Sequence, residues 1–161
     1  MTAIENPADP DLRVAFVCVQ NAGRSQMSAA IAERVRSERG LEDRVAILTG
    51  GTHPADAVHS VVIEVMDEQG VDLSGRTPRK VSTAELETCR FVATMGCSTL
   101  ELAAGDSGVD SDAAHTGVRT EVRDWALDDP DGQPIERVRE ICAEIEARVE
   151  ALFDEIGATI D

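Results

Sequence analysis

The apolar run Val14–Val17 ends on Cys18, and residues 18–25, Cys-Val-Gln-Asn-Ala-Gly-Arg-Ser, lead without a spacer into a pattern of helical period. A buried strand that stops, turns through Asn and Gly and restarts as helix constrains the chain to an α/β fold, with the loop beyond the carboxyl end of a parallel strand. In such a loop the backbone N–H groups turn inward, and the helix start adds roughly half a positive charge, so the segment can cradle a tetrahedral oxyanion. The same field favours the thiolate of Cys18, the nucleophilic form. Arg24 can grip two oxygens of the anion with its planar guanidinium, and the Ser25 hydroxyl can donate to the sulfur. Asn21 suits a residue that turns the chain and braces it with its own amide. Val19, Gln20, Asn21, Ala22, Gly23, Arg24 and Ser25 are therefore the expected oxyanion-binding segment. The plain alternative is a small buried hydrophobe at a strand end.

Strand and helix patterns alternate after this point. Met27, Ala30, Ile31, Ala32 and Val35 mark one face of a helix over 25–38 that Gly40 ends, and Val45–Leu48 reads as a second strand turned by Gly50-Gly51. Val58, Val61, Val62, Val65 and Met66 recur at helical spacing, and a short helix over 83–88 is expected with Ser82 or Thr83 as its cap. Phe91–Met95 and Val122–Trp125 read as the third and fourth strands, separated by a loop over 100–120 rich in Gly, Asp, Ser and Ala. Ile135, Val138, Ile141, Cys142, Ile145, Val149, Leu152 and Ile156 stripe a long C-terminal helix. The expected architecture is a three-layer α/β sandwich around a four-stranded parallel sheet. Residues 1–12 read as a flexible tail and 13–161 as a single domain, within the size of one core.

Fifteen Lys and Arg against 31 Asp and Glu give a net charge of −16, and Lys80 is the single lysine. That charge argues against nucleic acid as a partner. It also predicts self-repulsion that weakens the folded state unless ions screen it, as in a salt-rich cytoplasm. The melting temperature is therefore expected to rise from dilute buffer to molar KCl, and an unchanged value would remove the idea. No apolar run spans a membrane and no leader pattern directs secretion, so a cytoplasmic location is expected. Cys18, Cys89, Cys97 and Cys142 lack paired metal-ligand spacing, and His53, His59 and His115 pair with none of them, so no metal site is expected.

The loop, continued by Gln26-Met27, resembles the low-molecular-weight protein tyrosine phosphatase superfamily, and most of all the arsenate reductases that share its fold. Thr49-Gly-Gly-Thr52, Gly70-Val-Asp-Leu-Ser74, Val92-Ala-Thr-Met-Gly-Cys97 and Asp124-Trp-Ala-Leu-Asp-Asp-Pro130 fall in the order of that superfamily, so the resemblance covers roughly residues 12–157. It implies that Cys18 is the nucleophile, Arg24 the anion clamp and Asp129, before Pro130, the general acid. Position alone does not separate Asp129 from Asp128. For a reductase it implies that Cys97 is a second, resolving thiol that forms a disulfide with Cys18 as arsenite leaves.

Several departures shape the expected chemistry. The chain has no tyrosine, and Asp131 follows Pro130 where the tyrosine phosphatases carry an aromatic residue, so a small inorganic oxyanion fits better than a phosphotyrosyl ring. No further cysteine follows Cys97 closely, which leaves a low-molecular-weight thiol or thioredoxin as the external reductant, with no tightly bound cofactor. Ala29 stands about where some relatives carry a potassium-binding carboxylate. Arsenate reduction is placed first, phosphate-monoester hydrolysis through a phosphocysteine second, and a non-catalytic oxyanion sensor third. Arg76–Arg79 with Lys80 is a candidate anion-steering patch.

Overall fold

A computed structural model describes residues 4, 6–96 and 120–160. In chain order these form β1 (Leu12–Cys18), α1 (Arg24–Glu38), β2 (Val45–Gly51), α2 (Ser60–Glu68), α3 (Thr83–Leu86), β3 (Phe91–Met95), β4 (Glu121–Asp124) and α4 (Ile135–Ile160). The strands make one parallel sheet in the order β2-β1-β3-β4. The α/β sandwich expected from the alternating patterns is the fold.

β1 lies between β2 and β3, which explains why its sequence is apolar without alternation: both faces are covered. Val14, Phe16 and Cys18 face the larger core, built with α1, α2 and α4, while Ala15 and Val17 face a smaller one with Val81, Leu86, Cys89 and Val92. Phe16 meets Trp125 at a ring separation of 5.8 Å. The α4 stripe is buried as its spacing predicts apart from the half-buried Ile135, with Phe153 added to it. Each such side chain contributes about 1.5–3 kcal/mol by leaving water. No helix among the described residues is long and apolar enough to cross a membrane.

Three expectations need correction. Gly50 and Gly51 do not turn the chain; they are the last two residues of β2, paired with Val17 and Cys18. Gly51 serves close approach, since a β-carbon there would stand 2.5 Å from the Val19 carbonyl oxygen and 2.9 Å from the Asn21 nitrogen. The two arginines of the candidate basic patch are matched by carboxylates: Arg76 pairs with Glu33 at 2.7 Å, and Arg79 pairs with Glu85 and donates to the Thr49 carbonyl. Finally, the fourth strand spans Glu121–Asp124, and its one apolar member, Val122, is exposed.

In the segment read as a tail, Asn6 is anchored. Its amide accepts from the Ile47 N–H at 2.8 Å and donates to the Ile47 carbonyl at 2.9 Å, with Arg36 donating to the same amide oxygen. Ser82, of the two candidate caps, starts α3 in a capping box with Glu85.

Candidate active site

The carbonyls of the loop after β1 are turned outward and accounted for, one after another. Those of Cys18, Val19, Gln20 and Ala22 accept from the backbone N–H groups of Thr52, His53, Ala55 and His59, at 2.8–3.3 Å. The Asn21 carbonyl accepts from the Gln26 side chain. A loop whose carbonyls all face outward can present its N–H groups to the interior, and the Asn21 N–H points at the Cys18 sulfur, 3.2 Å away. At its end Gly23 stands before α1 with no side-chain cap and no acidic residue in the first turn. The free N–H groups of that turn are therefore open to an anion.

Asn21 holds the loop's shape. Its φ is +52°, a left-handed conformation that Asn tolerates better than most residues. The Arg79 backbone N–H donates to Asn21 Oδ1 at 3.0 Å, which assigns the amide orientation. Asn21 Nδ2 then donates to Ser25 Oγ at 2.8 Å and to Thr49 Oγ1 at 2.9 Å, and Thr49 passes its own proton to the Phe16 carbonyl. Because Ser25 Oγ already accepts from Asn21, its hydroxyl proton is free to go to Cys18 Sγ, 2.8 Å away. Cys18, Asn21, Ser25 and Thr49 are all buried.

Arg24 crosses the other side of the loop. Its Nη1 donates to the Leu127 carbonyl at 2.9 Å, and its Nη2 lies 3.9 Å from Asp129 Oδ2. Gly96, at φ +81°, lets the guanidinium pass so close that a β-carbon there would meet it at 2.7–2.9 Å. Together these groups line a cavity of about 280 Å³ bounded by Cys18, Val19, Gln20, Gly23, Arg24, His59, Gly96 and Asp129. No aromatic carbocycle lines it among the described residues.

The loop after β4 separates two carboxylates that the sequence leaves equivalent. Asp128 turns away into an ion pair with Arg137, whereas Asp129 faces the cavity and accepts from the Asp131 N–H at 3.0 Å. Cys89 and Cys142 lie in the core, and burial pushes the Cys89 thiol up to about 12 and raises that of Cys142 as well. Both are protonated and unreactive at neutral pH. Cys97, His115 and the loop over 100–120 lie outside the described residues, apart from Thr120. His59 also lines the cavity, and its distance along the chain from the loop gives no signal of this in the sequence. Among the described residues no cluster of His, Cys, Asp and Glu could hold a metal ion.

A cysteine and an arginine at the two ends of an oxyanion-shaped loop, on a doubly wound parallel sheet, define a thiol-bearing anion site of the phosphatase-fold class. The family profile of the low molecular weight phosphotyrosine protein phosphatases matches residues 13–160, and the chain belongs to that family. A protein of Halobacterium salinarum, provisionally named an arsenate reductase, is 64% identical over 93% of this chain and 96% of its own length. The glutaredoxin arsenate reductase of Synechocystis is 29% identical over 90% of this chain and 98% of its own. The solved structure of a thioredoxin-dependent arsenate reductase of Corynebacterium glutamicum matches with TM-score 0.67 and 27% identity, covering 94% of this chain and 64% of that one.

Proposed function

We propose that this protein is an arsenate reductase in which Cys18 attacks the arsenic of arsenate bound in the 18–25 loop. The observation that carries the reading is the small polar cavity over the Cys18 sulfur, lined by Arg24 and Asp129, in a chain 64% identical to a relative provisionally named an arsenate reductase. In the first step the Cys18 thiolate forms an S–As bond, and hydroxide leaves as water after taking a proton from Asp129. Arg24 and the loop N–H groups hold the oxygens as charge builds on them.

In the second step the Cys97 thiolate attacks Cys18 Sγ. The S–As electron pair stays with arsenic, which falls from As(V) to As(III) and departs as arsenite, while a Cys18–Cys97 disulfide forms. An external dithiol such as thioredoxin, or two low-molecular-weight thiols, then returns the disulfide to two thiols. Net, one arsenate and two thiol equivalents give arsenite, water and one disulfide. The relatives named for thioredoxin and glutaredoxin support an external thiol as reductant.

The family's phosphatase members make monoester hydrolysis the second reading. The two separate on one comparison in molar KCl: wild type, Cys18→Ser and Cys97→Ser, each assayed for arsenite formation with added thiol or thioredoxin and for hydrolysis of para-nitrophenyl phosphate. Arsenite from wild type and from neither variant is the expected result. Ester hydrolysis that needs Cys18, ignores Cys97 and exceeds arsenite formation would make the protein a phosphatase.

A further inference from the structure

His59 meets the oxyanion loop through both its main chain and its ring. Its N–H donates to the Ala22 carbonyl at 2.9 Å, which ties the start of α2 to the oxyanion loop whatever side chain the position bears. The ring then lies along the Gly23 α-carbon: its Cδ2 is 3.5 Å from the point where a Gly23 β-carbon would stand, and Pro130 Cγ is 2.8 Å from the same point. His59 and Pro130 thus flank the residue that opens α1. The imidazole lines the cavity beside Arg24, with its side chain only 18% exposed.

The hydrogen-bonding capacity of the ring is unused among the described residues. The nearest charged group, Asp131 Oδ1, is 3.9 Å from Nδ1, beyond hydrogen-bond reach, and neither ring nitrogen has a hydrogen-bond partner among the described residues. Cys18, Arg24 and Asp129 each already hold a partner. A partly exposed ring with no hydrogen-bond partner among the described residues, at the wall of an anion cavity, is free to meet what binds there.

We propose that His59 is a further anion-binding residue of this site, hydrogen-bonding through a ring nitrogen to an oxygen of the bound anion that Arg24 leaves free. Arg24 takes at most two of the four oxygens of a tetrahedral oxyanion, so at least two remain for other partners. The inference rests on the reading of the 18–25 loop as an oxyanion site.

The test measures inorganic phosphate binding by calorimetry, together with arsenate kinetics, for wild type, His59→Ala and His59→Gln. His59→Ala is expected to weaken phosphate binding and raise KM for arsenate by about 10-fold or more, the scale of one hydrogen bond to a charged group, with kcat changed less than about threefold. His59→Gln is expected to recover most of that loss, because its amide keeps a donor at similar reach. Phosphate binding by His59→Ala equal to wild type would overturn the assignment while leaving the oxyanion site intact. Equal impairment of both variants, with kcat falling alongside affinity, would overturn it in favour of a packing role. A wild type that binds no phosphate would overturn the site reading itself.

Discussion

Cys18→Ser is expected to lower turnover by about 10³-fold or more while leaving the fold and phosphate affinity close to wild type. Serine is nearly isosteric, and its oxygen can take the same donors, the Asn21 N–H and the Ser25 hydroxyl, that meet the sulfur at 3.2 and 2.8 Å. What is lost is the nucleophile, because a hydroxyl gives up its proton far less readily than a thiol. Thiol labelling of the folded protein supplies an independent check. In a Cys97→Ser background iodoacetamide is expected to modify Cys18 alone, since burial keeps Cys89 and Cys142 as thiols. Labelling that persists after Cys18→Ser is added would show another accessible thiolate and weaken the assignment.

Asn21→Ala is expected to destabilise the protein by about 2–4 kcal/mol. A left-handed conformation costs alanine roughly 1–2 kcal/mol, and the net loss of the amide's hydrogen bonds, as the freed hydroxyls find other partners, adds about 1–2 kcal/mol. The Arg79 N–H and the Ser25 and Thr49 hydroxyl oxygens all lose the Asn21 amide at once. For a chain of this size that corresponds to a fall in Tm of about 4–16 °C. Asn21→Gly divides the loss into its parts, because glycine accepts the φ of +52° and removes only the amide. Activity should fall in both variants, as Ser25 is then free to point its proton away from Cys18. A Tm for Asn21→Ala within 1 °C of wild type would mean that the amide network carries no weight.

Much of this arrangement is legible in the sequence because the groups concerned act through side chains at fixed spacing. Cys18, Arg24 and Ser25 are brought together by one loop and the first turn of one helix, so their separation along the chain already implies their separation in space. The apolar stripe of α4 is read equally directly, since a period of 3.6 residues maps onto one face. The outer brace of the loop is different. It is made by main-chain N–H groups of residues 52–59, which every residue except proline possesses, and no residue type announces them. Gly50 and Gly51 are ambiguous in sequence for a related reason: glycine signals both a turn and a close approach, and only the neighbouring backbone distinguishes the two. Asp128 and Asp129 differ in placement because Arg137, in the first turn of the next helix, pairs with the first.

The outer edge of β2 has a bearing on how the molecule behaves in a crowd. A terminal strand usually offers a row of unpaired N–H and carbonyl groups to any passing chain. Here the Val45 carbonyl is taken by Arg36 and its N–H by Leu41, both groups of Ile47 by the Asn6 amide, the Thr49 carbonyl by Arg79, and both groups of Gly51 by the chain at Arg79 and Val81. Of the groups on that border among the described residues only the Thr49 N–H lacks such a partner, too little of a ladder for a foreign strand to join. A side-chain amide from the start of the chain and two arginines thus act as a selvedge, closing this border of the sheet against fraying and against stitching to a neighbour.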